Sequence, residues 1–585
     1  MKLLIALLAI IITIDVYTQT LPESRSVDWS LAGLRDTSTS GFQLIDMEYL
    51  GVNGDGITPN DSLISHTINN ISSSGGVLIF PKGNFLFNNT INLNSNIIIK
   101  GAGADSTIFT FDLGGSGHSI KINGSSTIND TSSISKTGVK DSIFIEIINP
   151  SFFSIGDWVK IIQNDTDIVT STWAYGTFGQ IVKIIDISNN RLILNSPLRM
   201  DYNLNRKPYI KKINPIKNVG IECLKIHRLD STYPQQSNNI FFNYAVNSWV
   251  TGVESENCSY SHLDSKNSAN LYVSKCYFHH GFDYGGGGRA YGVMLQATTN
   301  ECLIENNIFE HLRHSMILQS GANGNVFSYN YSTDPYWNST PSDFTGDMVL
   351  HGNYPYCNLF EQNICRNIAV DNSHGSNGPY NTFFRNRAEG YGIFFNDNSS
   401  PDQNFIGNDI SNNSFPYSLV NYTISGTGHF LHGNNNKGTI DPPGTNNLPD
   451  SSYIYITKPN YILDHQFSGI GTPNPMNTNN IPAYDRFASN TTPNTDCGTL
   501  VTSLYSKEKL HANIYPNPSK GVVNIKNQNI IQKISVVDLH GKLLMTKKSN
   551  KRNEFIDLTN FPSGFYFIEV LSDKHNKKVY RWIKN

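Results

Sequence analysis

Apolar residues along this chain come in short bursts separated by Asn, Gly and Ser, and between Asn270 and Asn408 the bursts repeat. Six stretches share one pattern: a polar or small residue, an apolar residue two places on, and usually an asparagine three places beyond that. They begin at Asn270, Cys302, Asn325, Asn358, Asn381 and Gln403; the apolar positions are Tyr272, Ile304, Phe327, Phe360, Phe383 and Phe405, and the asparagines are Asn307, Asn330, Asn363, Asn386 and Asn408. The starts lie 32, 23, 33, 23 and 22 positions apart, which is a unit of 22 or 23 residues interrupted by two insertions. Such a period marks a solenoid. Runs this short, rich in branched and aromatic residues and bounded by turn formers, predict strands and not helices. One strand cannot bury its inner face alone, whereas stacked coils build a continuous core through neighbour contacts. The pattern therefore predicts an all-β, single-stranded parallel β-helix. The recurring asparagines read as scaffold: Asn tolerates the left-handed backbone of a sharp turn, and stacked amides hydrogen-bond along the ladder.

Aligning the coils brings a second series into line. Five short apolar strands each end in a polar residue at the same place: Gln296, Gln319, His351, Asp371 and Asn396. Adjacent coils lie about 4.8 Å apart, so the series predicts a polar column of roughly 20 Å, a length suited to several sugar units.

The remaining pattern divides the chain. A signal peptide is expected over 1–20. Over 40–137, Asp61 stands as the N-cap of a short helix with Leu63, Ile64, Ile68 and Ile71 on its apolar face, suited to capping the open end of the coils. From 138 to 213 the strands lengthen (143–148, 158–162, 180–187 and 192–194), with a turn at Asn189-Asn190, and predict an inserted antiparallel β module. It reads as a structural outgrowth, with substrate contact as the alternative. Coils resume over 214–435. Prolines at 442, 443, 449, 459, 473, 475, 482 and 493 mark 436–509 as a lateral wrap and linker. Strands and tight turns alternate over 510–585, as in a small β-sandwich.

Composition narrows the classes. The 585 residues exceed one ordinary core, and 29 Tyr and 31 Phe support a large interior. Charged residues make up 16% and the net charge is -3, which leaves no basic stripe for nucleic acid. The basic start at Lys2 and the apolar run to Thr13 fit a signal peptide cut near Thr18 to Thr20, too short to span a membrane. No later run approaches membrane length, so an exported, soluble monomer is expected. Seven cysteines show no Cys-x-x-Cys pair. Cys357 and Cys365 could bridge, but buried free thiols are preferred.

Two segments resemble known families. Gly54-Asp55-Gly56, the helix, Gly75-Gly76-Val-Leu-Ile-Phe80-Pro81-Lys82-Gly83 and the stretch from Asn96 to Gly103 resemble the N-terminal module of the rhamnogalacturonase, epimerase and pectate-lyase-like proteins. That resemblance implies a right-handed parallel β-helix but no single activity, because the superfamily holds lyases, hydrolases, epimerases and phage tailspikes. Tyr515-Pro-Asn-Pro518, Asp538-x-x-Gly541 and Phe561-Pro-Ser-Gly-Phe-Tyr566 closely resemble the C-terminal sorting domain of type IX secretion; an ordinary carbohydrate-binding sandwich is the alternative. The resemblance implies passage through the type IX machinery of a Gram-negative bacterium, with release or anchoring at the cell surface and removal of the tail.

Candidate chemistry gathers around the column. His279, His280, Asp283, Gly285 to Gly288, Arg289, Glu310, His311, Arg313, His314, Asp343 and Asp347 precede its strands, and Ser373, His374, Asn377, Arg385 and Arg387 follow where a turn lengthens. Arginine presents a rigid fork to a carboxylate, and histidine exchanges protons near neutral pH. These residue types point to an enzyme on acidic polysaccharide, first a β-eliminating lyase. Arg289 or Arg313 would neutralise the uronate carboxylate, and His311 or His351 would take the α-proton, with His374 beside them. His280, Gln296, Gln319, Asp371, Asn396 and Arg385 would bind substrate. One alternative is a glycosidase using Asp371 and a second carboxylate. Another is a non-catalytic glycan binder or adhesin using Tyr284, Tyr291, Tyr336, Trp337, Tyr354 and Tyr356 for stacking. Asp343, Asp347 and Asp371 could hold Ca2+, although no ligand spacing enforces it. Gly285 to Gly288 reads as a close-approach loop and not a phosphate cradle. The Gly-x-Ser-x-Gly and His-Glu-x-x-His motifs are missing, as are the paired aspartates and Gly-His-Gly of pectin hydrolases.

Overall fold

The computed structural model describes residues 19–35, 42–232, 235–419, 422–462, 464–489, 494–498, 512–538, 542–572 and 577–585. The core of the expected signal peptide, much of the linker and Gly541 of the tail motif lie outside the described residues.

Each coil contributes short strands to three faces. The first face is a twelve-stranded parallel sheet running from Gln43–Asp46 to Phe430–His432. The second includes Tyr277–Gly281, Ile308–Glu310 and Tyr331–Thr333, and the third Tyr291–Gln296, His314–Leu318 and Met348–Leu350. Later strands, Ile364–Val370 and Arg387–Phe395, run from the second face round to the third. Inward residues form one continuous core, in which Phe327, Phe360, Phe383 and Phe405 stack coil upon coil at 5.3, 4.9 and 4.8 Å.

The repeating amides form two ladders. Asn307, Asn330, Asn363, Asn386 and Asn408 each donate Nδ2 to the next rung, ending on Asn434, at 2.9 to 3.1 Å. Asn325, Asn358, Asn381 and Gln403 form the second at 2.8 to 3.0 Å. Two details differ from the sequence expectation. The left-handed residue precedes the ladder asparagine: Asn306, Tyr329, Gln362 and Arg385 hold φ between 53° and 57°. The rung itself must keep its amide pointing inward to stack, so the preceding residue makes the bend, whatever its type. The upstream member of the repeat also slides by one. Tyr272 pairs with Leu303 and Val273 with Ile304, so Leu271 and not Asn270 matches Cys302. The other register would turn buried Val273 out of the core.

The helix Asp61–Ile71 buries Ile64, Ile68 and Ile71, with Leu63 partly buried. Asn60, and not Asp61, occupies the N-cap; Asp61 instead accepts the N–H groups of Asn88 and Asn89 at 3.1 and 2.8 Å.

Between coils sits a six-stranded antiparallel sheet with its own core. Its first strand is Ser125–Ser133, so the insertion opens upstream of residue 138. Asn189, at φ 55°, turns the hairpin between Gly179–Ser188 and Arg191–Leu194. The module docks on the turns that follow the third face. Ile181 N–H donates to Asn300 Oδ1 at 2.7 Å, Asn323 Nδ2 and the Tyr356 hydroxyl donate to Gly179 O at 3.0 and 2.7 Å, and Arg199 pairs with buried Glu301.

The wrap covers the outer sides of the other two faces. Leu448 and Ile454 pack on Val326, Leu359 and Ile406, while Ile462, Ile470 and Ile481 pack on Ile308, Tyr331 and Ile364. Cys497, at its end, forms a disulfide with Cys223 across 274 positions, a pairing that no sequence spacing signals. Cys357 and Cys365 do not bridge; with Cys258, Cys276 and Cys302 they are buried free thiols. Residues 513–584 form a five-stranded antiparallel sheet around Val523, Ile525, Ile534, Val536, Ile556, Ile568 and Trp582. No described helix is long and apolar enough to cross a membrane.

Candidate functional site

With two faces covered by the wrap, the outer side of the third is where the polar column stands. The register puts Leu295, Leu318, Leu350, Val370 and Phe395 in line, so Gln296, Gln319, His351, Asp371 and Asn396 follow one another along the stack. Lys266 pairs with Gln296 and extends the column by one coil. Its strand has an apolar residue three places before the polar end, Leu263 standing where Val293 and Met316 stand, a signal available in the sequence. Met294, Ile317, Val349 and Ala369 form an apolar floor beside the polar positions.

Along the upstream half the amides satisfy one another. Gln319 Nε2 donates to Gln296 Oε1 at 2.9 Å, and Gln296 Nε2 donates to Asp264 Oδ1 at 2.9 Å. Both glutamines are buried, and the Asp264 carboxyl is raised by burial.

The downstream half gathers the ionisable groups. His351 Nδ1 lies 2.5 Å from Asp371 Oδ2. Asp371 Oδ1 accepts Ser373 N–H at 2.7 Å, Ser373 Oγ at 2.5 Å and Asn396 Nδ2 at 2.9 Å. Burial opposes charge on Asp371, but the imidazole and these donors outweigh it and hold the carboxyl below its usual range. The rings of His374 and His314 stand 5.0 and 5.7 Å from that of His351. Burial, with Arg313 and His351 nearby, drives His314 down to about 3. Its Nδ1 faces Gly346 O at 2.8 Å, so His314 is a neutral support. Burial also lowers His374, and His351 adds to the shift. No hydrogen bond to His351 Nε2 comes from the described residues. With the carboxylate on its Nδ1 side, the imidazole leaves Nε2 as the nitrogen that can accept a proton.

Arg313 reaches the same region. Its guanidinium lies over Tyr291, 5.7 Å from the ring centre, and 6.0 Å from that of Trp337, while Nη1 donates to Gly285 O at 3.0 Å. Tyr291 is 6.5 Å from the His351 ring. Among the described residues Arg313 has no carboxylate partner.

Other expected site residues lie elsewhere. Arg289 pairs with Asp283 at 2.5 Å within the glycine loop. That loop does approach closely: at Gly288, φ 80°, a Cβ would stand 2.5 Å from the Tyr260 ring. His311 bonds Asp334 at 2.7 Å and stacks between His280 and Tyr336 at 5.0 and 4.9 Å, a separate cluster on the edge of the second face. Arg385 is buried in the wrap, donating to the carbonyls of Leu448, Asp450, Ile470 and Thr472 at 2.8 to 3.0 Å. It binds the protein's own backbone, because its left-handed position at the corner between the first and second faces aims it away from the column. Tyr291 and Tyr356 are buried, so neither offers a free ring face to sugar.

The three candidate calcium ligands do not meet. Asp343 accepts the Tyr417 hydroxyl at 2.9 Å, and Asp347 is sealed against Ser332, Arg366 and Asn367. Asp371 is held by His351. Among the described residues no group of three His, Cys, Asp or Glu side chains is placed to hold a metal ion. The sequence also gives no hint of Trp173, a residue of the inserted module whose ring lies 5.5 Å from that of His374.

Comparison with known proteins agrees with this architecture. Residues 45–205 match the family described as rhamnogalacturonase A/epimerase, pectate lyase-like, and residues 513–585 match the secretion system C-terminal sorting domain. The capsule K1-specific depolymerase of Klebsiella phage K64-1 is 22% identical over 262 residues, 43% of this chain and 28% of that protein. The tailspike protein gp49 from Pseudomonas phage LKA1 superposes with a TM-score of 0.50 at 14% identity, over 63% of this chain and 64% of the tailspike. The chain thus spans less than two thirds of either relative, and the structural likeness speaks to fold. The sorting domain directs the chain to type IX secretion, and so to the cell surface or the extracellular space. The chain is thus a parallel β-helix protein whose residues 45–205 match the rhamnogalacturonase A/epimerase, pectate lyase-like family and whose C-terminus carries a type IX sorting domain.

Proposed function

We propose that the protein is an exported polysaccharide lyase that cleaves uronate-containing chains by β-elimination, with its centre at His351. The carrying observation is the His351–Asp371 pair at the end of the third face, largely buried and beside the more exposed His374 and Asn396. Asp371 orients the imidazole, His351 Nε2 takes the proton α to the uronate carboxyl, and Arg313, free of any described carboxylate, neutralises the carboxyl so that this proton becomes acidic; the electron pair forms the double bond to the β-carbon as its glycosidic C–O bond breaks, and the leaving oxygen takes a proton from water. His374 and Asn396 border the sugar on the reacting unit. Both oxygens of Asp371 are already engaged, which suits it to orienting a base and not to attacking a sugar. The match to a capsule depolymerase supports a polysaccharide substrate.

Incubation with polygalacturonate, alginate and chondroitin, followed by ultraviolet absorbance of the unsaturated product, tests the assignment. Wild type generates the chromophore, and His351→Ala lowers kcat by roughly a hundred- to ten-thousandfold. Products without unsaturation, or an undiminished His351→Ala enzyme, would reject elimination at this site.

A further inference from the structure

We infer that Trp173 forms a sugar-stacking subsite against His374, one ring removed from His351, so that the inserted module and not the solenoid alone sets which polysaccharide is bound. This deepens the proposed function and rests on its placing of the substrate along the third face. Trp173 is 57% exposed and sits on the short turn Thr172–Ala174, with Tyr175 beside it at 44%. A tryptophan left this open contributes little to a core, yet the backbone beneath it is tightly fixed. Buried Asp165 accepts the N–H groups of Gly176 and Phe178, each at 2.9 Å. Asn353 Oδ1, two residues after His351, accepts those of Thr170 and Ser171 at 3.2 and 3.1 Å. Thr298 Oγ1 donates to Thr177 O at 2.6 Å. The turn is therefore bolted to the coil turns that follow the column strands, and the indole is held ready at no further ordering cost. Its ring meets His374 edge-on, and His374 meets His351 in the same manner. An indole beside the more exposed end of the column offers the apolar face of a pyranose a stacking partner, while His374 and Asn396 remain for its hydroxyls.

The test compares full-length wild type, Trp173→Ala, Trp173→Phe and His351→Ala by affinity electrophoresis in gels containing polygalacturonate, alginate or chondroitin, and by steady-state kinetics on any that is cleaved. Trp173→Ala is expected to weaken retention and raise KM roughly three- to tenfold with kcat nearly unchanged. Trp173→Phe restores most of the affinity, and His351→Ala is still retained in the gel but does not turn substrate over. Binding without cleavage by wild type would reject the lyase but leave the subsite standing, provided Trp173→Ala still weakens retention. Equal retention and KM in wild type and Trp173→Ala, or no retention of any of the three polymers by wild type, overturns the subsite.

Discussion

Asp347, Glu361 and Asp409 are buried carboxyls of the coils, the last two beneath the wrap, and burial pushes them up to about 6, about 7 and about 6. A carboxyl raised on folding favours the native state most while it is protonated, and that contribution is lost as pH rises through the folded value. The melting temperature of the solenoid is therefore expected to fall between about pH 4 and about pH 7. Asp371 acts in the opposite sense. Its carboxyl is depressed by His351 and Ser373, so its contribution is present above about pH 4 and fades only in stronger acid. Thermal melts across a pH series check both signs. A flat profile from pH 4 to 7 would contradict the three buried acids, and Asp371→Asn should remove part of the loss on the acid side.

At the scale of elements, the wrap depends on one side chain. Arg385 ties Leu448, Asp450, Ile470 and Thr472 to the corner of a single coil. Arg385→Ala strands buried carbonyls and is expected to cost about 3 kcal/mol or more, read as a lower denaturation midpoint and faster proteolysis between residues 448 and 472. Activity at moderate temperature should persist, since the third face is untouched; a large loss of kcat in a folded variant would place Arg385 back at the substrate. The sequence discloses the coils because each repeats the same demand: an inward aromatic, an amide rung, a bend. The polar column is legible for the same reason, as Gln296 to Asn396 inherit their alignment from strands that recur. Arg385 sits inside that repeat, but its partners lie in the Pro-rich wrap, where no period says which carbonyl comes near. Trp173 and His374 are likewise joined only by the way the module docks. Local pattern places an element on a face; it does not say what is laid over that face.

The whole molecule is arranged around an export route. The tail has its own core, so removing residues 513–585 leaves the solenoid core intact. A truncated chain ending before Asn513 is expected to be folded and retained in the periplasm, as fractionation and immunoblotting would show. Undiminished appearance of that chain outside the cell would disprove the sorting role. The disulfide between Cys223 and Cys497 lies on the solenoid side of this boundary. A proteolytic cut after Cys497, such as trimming of the tail, would create a new chain end, and a free end is where a laterally packed strap begins to peel. Here that end stays riveted to the stack at Cys223, so the protein can lose its export signal without loosening the strap that packs over the first and second faces.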